Sequence, residues 1–180
     1  IIFLSTPYDE ESADLLEDLD VNAFKIASTD TNNIPLLRYI AKKGRPMIIS
    51  TAMATMDEVE NAVSSVRGEG LADIALLQCT GNYPARLSDS NLNVIKTYRD
   101  QFPCIVGYSD HTEDFINPVA VTAIGANVYE KHFTIDKTLP GPDHRMALDP
   151  DELKQTIKLI RDTELALGSV KKQVLESEKE

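Results

Sequence analysis

The chain has 180 residues, enough for one domain with a sizeable core, and 29 acidic against 18 basic side chains give it a formal charge of −11. That balance argues against nucleic acid or an anionic membrane surface as a partner, and no apolar run approaches the ~20 residues of a membrane span. Cys79 and Cys104 are the only cysteines; lacking metal-site spacing and any secretory leader pattern, they read as reduced, packed thiols of a cytoplasmic protein.

Short apolar runs alternate with helical patterns. Ile1–Ser5 reads as a strand and Glu10–Leu19 as a helix. A strand over Phe24–Ala27 precedes a helix over Pro35–Lys43, with Leu36, Leu37 and Ile40 on one face. After a strand at Met47–Ser50, Thr55-Met56-Asp57-Glu58 is a capping-box opening for a helix to about Glu69. Ile74–Gln78, Ile105–Tyr108 and Val128–His132 complete six candidate strands. Asp149-Pro150-Asp151-Glu152 supplies an N-cap, a proline at the first helical position and a glutamate at the third, and predicts a helix to Leu167, stopped by Gly168. Residues 169–180 are charged and predict a tail or linker.

The strands start roughly every 23 to 31 residues, the size of a βα unit. Strict alternation of strand and helix means a parallel sheet. No Gly-x-Gly-x-x-Gly or Walker-type loop follows any strand, which weakens a nucleotide-binding reading. The remaining common architecture is the α/β (β/α)8 TIM barrel, which needs eight units and typically about 250 residues. Six units leave either an open sheet or two strands absent at the front. The abrupt start at Ile1-Ile2-Phe3-Leu4, without a methionine, is what an excerpt of a longer chain would show.

Two of the three histidines close consecutive strand-like runs: His111 after Ile105-Val106-Gly107-Tyr108-Ser109-Asp110, and His132 after Val128-Tyr129-Glu130-Lys131. Parallel α/β proteins build their sites at that end of the sheet. Two neutral imidazoles there can hold a divalent metal and leave coordination positions open; two packed or surface histidines are the plainer alternative. Lys25 lies within an apolar strand, where a cation is costly unless it meets an anion or snorkels to the surface. Ser28, Ser50 and Ser109 recur at strand ends and would complete a phosphate or carboxylate cradle, although serine is also an ordinary turn residue. Alternation puts Glu130 on the face of His132, placed for proton transfer or for an ion pair with Lys25. Asp143, in the Leu139-Pro140-Gly141-Pro142-Asp143-His144 loop, is placed to accept substrate hydroxyls if that loop folds over the strand ends.

These segments together resemble the sialic acid synthase family. The matching stretches are Ser5-Thr6-Pro7-Tyr8-Asp9, Phe24-Lys25-Ile26-Ala27-Ser28, Ile49-Ser50-Thr51-Ala52-Met53-Ala54-Thr55, Cys79-Thr80-Gly81-Asn82-Tyr83-Pro84, Gly107-Tyr108-Ser109-Asp110-His111, Glu130-Lys131-His132-Phe133-Thr134 and Leu139-Pro140-Gly141-Pro142-Asp143-His144, in the family's order along nearly the whole chain. The resemblance implies a barrel whose strands three to eight are present in residues 1–168. It also implies a small antifreeze-like domain beyond residues 169–180 and a cytoplasmic homodimer. The implied reaction condenses phosphoenolpyruvate with an N-acetylated hexosamine such as N-acetylmannosamine, giving a nonulosonic acid and phosphate. His111 and His132 match the manganese ligands. Thr6, Lys25, Ser28, Ser50 and Ser109 match positions holding phosphoenolpyruvate, while Asp30, Tyr83 and Asp143 match positions near the sugar. Asp30 replaces a frequent glutamate and Gly81 a polar residue of some relatives, which bears on the sugar more than on the reaction. Other phosphoenolpyruvate aldol-type synthases acting on sugar phosphates, or a sugar-binding fragment without catalysis, are the alternatives.

Overall fold

The computed structural model describes residues 1–179. Five strands, β1 (Phe24–Ile26), β2 (Met47–Ser50), β3 (Ile74–Cys79), β4 (Ile105–Asp110) and β5 (Val128–Lys131), pair in that order, every pair parallel. The longer helices are α1 (Glu10–Asp18), α2 (Ile34–Ala41), α3 (Met56–Gly68), α4 (Val94–Gln101), α5 (Ile116–Ala123) and α6 (Pro150–Leu167). Asp9, Thr55 and Asp149 cap α1, α3 and α6 through reciprocal capping boxes, so these starts follow from local chemistry. Neither α4 nor α5 has a side-chain bond from its N-cap residue, which is why neither start announces itself in the sequence. Among the described residues no helix is long and apolar enough to cross a membrane.

The first predicted strand is corrected by the structure. Ile1–Ser5 does not join the sheet: the Ser5 carbonyl accepts one bond from the Lys25 N–H at 3.2 Å, and Ile1, Ile2 and Phe3 are exposed. A parallel strand needs a run of slanted bonds and a face to pack against; this segment has one bond and no covered face. The other predicted strands are present, with ends shifted by one or two residues.

Strand alternation sorts the side chains into two layers. Phe24, Ile26, Met47, Ile49, Leu76 and Tyr108 point to the helices and are fully buried, each stabilising the fold by roughly 1.5–3 kcal/mol where large and apolar. Lys25, Ser50, Ser109 and Glu130 occupy the opposite face. Lys25 on β1 and Glu130 on β5 belong to the two edge strands, yet their charged atoms are 3.5 Å apart. In a flat sheet four interstrand steps would separate those strands by ~19 Å. The sheet therefore curls into a half-barrel, and the polar face is its inner wall.

Below this polar layer Gly107 faces inward between Leu77 and Val128, its register neighbours. A Cβ there would sit 2.6 Å from Leu77 Cδ2 and 2.8 Å from Val128 Cβ, and would also clash with the Val128 carbonyl. Gly107→Ala is expected to cost roughly 1–3 kcal/mol, because backbone cannot move aside as a side chain does. Urea denaturation measures it; a midpoint equal to that of the unaltered protein would show that the wall is looser than the packing implies.

Candidate active site

A crevice of about 370 Å³ opens at the carboxyl ends of the strands. Of the residues singled out in the sequence, Thr6, Lys25, Ser28, Ser50, Tyr83, Ser109, His111, Glu130 and His132 line it. A larger opening of about 620 Å³ lies at the amino ends of the strands, lined by apolar side chains apart from Asp73 and Asn127. The smaller crevice is the candidate site, because it holds the convergent polar and titratable groups.

Lys25 organises one side. Its Nζ donates to Ser50 Oγ at 2.7 Å and to the Ile26 carbonyl at 3.0 Å, and stands 3.5 Å from Glu130 Oε2. Ser109 Oγ donates to Glu130 Oε1 at 2.7 Å, so the carboxylate is held from both sides. Ser28 Oγ accepts from the Ala52 N–H at 2.9 Å and ties the loop after β1 to the loop after β2. A lysine and three hydroxyls thus share one concave wall with the Glu130 carboxylate, groups with the chemistry to hold an anion.

The other side is imidazole. The register that pairs Asp110 with Lys131 sets His111 beside His132 one step further on, and the ring centroids lie 5.2 Å apart. His111 Nδ1 is 2.8 Å from the Thr80 carbonyl; a carbonyl only accepts, so Nδ1 carries the proton and Nε2 keeps its lone pair. Burial holds the His111 pKa below the ordinary imidazole value, the neighbouring His132 and Lys131 push the same way, and the Thr80 bond opposes them. His132 Nδ1 is 3.6 Å from Asp143 Oδ2. The Tyr83 ring lies 4.0 Å from that of His111 and edge-on to His132 at 5.6 Å. Among the described residues no cluster of three His, Cys, Asp or Glu side chains forms. Two imidazoles, one of them with a lone pair left free by its second nitrogen, fit a divalent ion whose remaining positions go to water or substrate.

Two predicted residues stand apart from the crevice wall. Asp30 turns to the start of α2, where its carboxylate accepts from Asn33 Nδ2 at 2.9 Å and from the Thr29 hydroxyl at 3.3 Å. Asp143 sits at the rim beside His132, on a loop anchored by the 2.8 Å contact of His144 Nδ1 with Thr134 Oγ1. Sequence reasoning passed over Met53, which lines the crevice with a left-handed backbone (φ 64°) and 75% of its surface exposed. A non-glycine residue held in that region is a strained choice, and the flanking Ala52 and Ala54 give no sequence signal of it. Cys79 also lines the wall, its thiol pKa pushed up chiefly by burial.

Fold and crevice together define an α/β half-barrel protein with a polar crevice at the carboxyl ends of the strands. The model of the NeuB family matches residues 1–172. N,N'-diacetyllegionaminic acid synthase of Legionella pneumophila is 46% identical over 182 residues, spanning 99% of this chain and 51% of that protein. The crystal structure of spore coat polysaccharide biosynthesis protein SpsE from Bacillus subtilis matches with a TM-score of 0.91 at 48% identity, covering 99% of this chain and 51% of that one. N-acetylneuraminic acid synthetase from Leptospira borgpetersenii, crystallised with citrate, matches with a TM-score of 0.93 at 35% identity, covering 99% and 62%. The chain belongs to the NeuB family, the sialic acid synthases that its motifs resemble. It spans about half the length of the curated relatives it matches.

Nitrogen-15 NMR of metal-free protein is expected to show His111 as the Nδ1–H tautomer with a titration midpoint below 6.5. Because the folded value lies below the unfolded one, this group favours the folded state above pH 6.5, and that contribution shrinks as pH falls toward the folded midpoint. An Nε2–H tautomer would contradict the assignment.

Proposed function

We propose that the protein containing this chain is a metal-dependent synthase that condenses phosphoenolpyruvate with an open-chain N-acetylated hexosamine to give a nonulosonic acid and phosphate. The observation that carries this reading is the pairing, in one crevice of a NeuB-family chain, of the Lys25–Ser50–Glu130–Ser109 cradle with two adjacent imidazoles. In this reading the rest of an eight-stranded barrel and the partner subunit of a homodimer lie beyond these residues.

Lys25, Ser28, Ser50, Ser109 and Thr6 bind the phosphate and carboxylate of phosphoenolpyruvate, which brings its methylene carbon within reach of the sugar aldehyde. His111 and His132 would hold Mn²⁺ or another divalent ion, which would supply Lewis-acid polarisation of that aldehyde when bound. The methylene carbon forms the new carbon–carbon bond while the aldehyde oxygen takes a proton. Water then adds to the cationic C2, losing a proton, and the resulting tetrahedral phosphate hemiketal expels inorganic phosphate with cleavage of its C–O bond. In this reading Glu130, held by Ser109 and Lys25, accepts the proton of that water. Tyr83 and Asp143 meet the sugar at the rim.

The test is phosphate release from phosphoenolpyruvate that depends on the hexosamine, with oxygen-18 in the bridging C–O–P position. The label is expected in the phosphate; phosphate carrying oxygen from labelled water instead would sink the C–O cleavage step, and release without any sugar would sink the synthase reading. In the full-length protein His111→Ala and His132→Ala are expected to lose roughly 10²-fold or more in turnover. Lys25→Met is expected to raise KM for phosphoenolpyruvate as well as lower kcat, whereas Cys79→Ser changes little.

A further inference from the structure

The residues just before the two histidines form a buried polar cluster on the opposite face of the wall. Asp110 lies opposite Lys131 in the register, and alternation turns both toward the helix side. Asp110 is fully buried, the Lys131 side chain is 6% exposed, and their charged atoms are 3.8 Å apart. Asp110 Oδ1 accepts from both the backbone N–H and the hydroxyl of Thr112, each at 2.8 Å. Its Oδ2 accepts from the Tyr129 hydroxyl at 2.6 Å. Lys131 Nζ in turn donates to the Thr112 carbonyl. His111 is thus the middle residue of a three-residue turn gripped at both ends, and the gripping lysine is the immediate neighbour of His132.

A buried ion pair is not in itself a strong source of stability, since desolvation offsets much of the attraction. An apolar pair would close this part of the wall as well. What an apolar pair lacks is the means to hold the Thr112 amide and carbonyl and to link them across to β5. Within the crevice the two rings share only the face and edge of Tyr83; His111 is tied to Thr80 and His132 lies beside Asp143. Ser109 and Glu130 tie the two strands on the inner side one residue earlier; Asp110 and Lys131 tie them on the outer side and also hold the Thr112 amide and carbonyl, directly beyond His111.

We infer that Asp110 and Lys131 are positioning residues, a brace that sets the His111–His132 spacing required for a shared metal ion; the inference rests on the metal reading of those histidines. The test titrates Mn²⁺ alone into the full-length protein by electron paramagnetic resonance, beside thermal unfolding of each metal-free variant. Lys131→Met keeps the length of the side chain and removes the donor, and Asp110→Asn keeps an acceptor for Thr112 and removes the charge. The double variant leaves no unpaired charge in the wall and serves if a single variant fails to fold. The double variant is expected to unfold near the temperature of the unaltered protein while its Mn²⁺ dissociation constant rises ~10-fold or more. Lys131→Arg, which retains cation and donor, is expected to bind more tightly than Lys131→Met. Unchanged Mn²⁺ affinity in the double variant, whether or not its stability falls, overturns the brace and leaves the metal reading standing. An unaltered protein that binds no Mn²⁺, or that binds it equally well after His111→Ala, overturns the metal reading and the brace with it.

Discussion

An ammonium group enclosed by a parallel sheet must find an anion, and here the anion comes from the far edge of the same sheet. Lys25 is 13% exposed and reaches Glu130 across the curl of five strands. Burying the lysine without that carboxylate would cost several kcal/mol. The contact therefore links curvature to chemistry: where the sheet curls far enough to pair them, Ser50 and Ser109 are brought to the same place. A flat arrangement of the same strands would leave a charged row on an open face and no crevice.

The site is also supported from behind. Thr31 and Thr51 donate to the Ser50 and Leu77 carbonyls, each at 2.8 Å, and Thr51 meets the Tyr98 hydroxyl at 2.9 Å, so the loops after β1 and β2 are fastened to the next strand along. Gln78 reaches the Ser90 carbonyl at 3.2 Å on the helix side. These bonds occupy polar atoms of buried residues behind the crevice wall, while the crevice groups bond to one another and His111 Nε2 keeps its lone pair. Met53, strained and exposed at the rim, is the exception in a site otherwise built from packed elements.

Two side chains show how a motif and a position can part company. Asp30 lies two residues past a matching segment, and the 3-10 turn after β1 swings its carboxylate to Asn33, where it helps start α2. Asp143 is in a specific loop motif and does come near the histidines, at 3.6 Å from His132. The difference is that His144 ties the second loop down, whereas local hydrogen bonding claims the first aspartate for the backbone turn.

The alternation of strands with helices, the shared face of Glu130 and His132, and the starts of α1, α3 and α6 were legible in the chain, because period-two alternation and capping are local effects; which face Lys25 takes was not. The motifs likewise identified the family. Whether a segment pairs is not local: Ile1–Ser5 has the composition of a strand, and only its single bond to β1 and its uncovered side chains decided otherwise. The turn of Asp30 toward Asn33, the strain at Met53 and the Asp110–Lys131 brace behind the histidines each depend on which neighbours meet across the sheet and its loops. Sequence supplied the chemical groups and their parity along each strand; the curl of the sheet brought them within bonding distance, since contact between residues about a hundred positions apart is set by packing rather than by local preference.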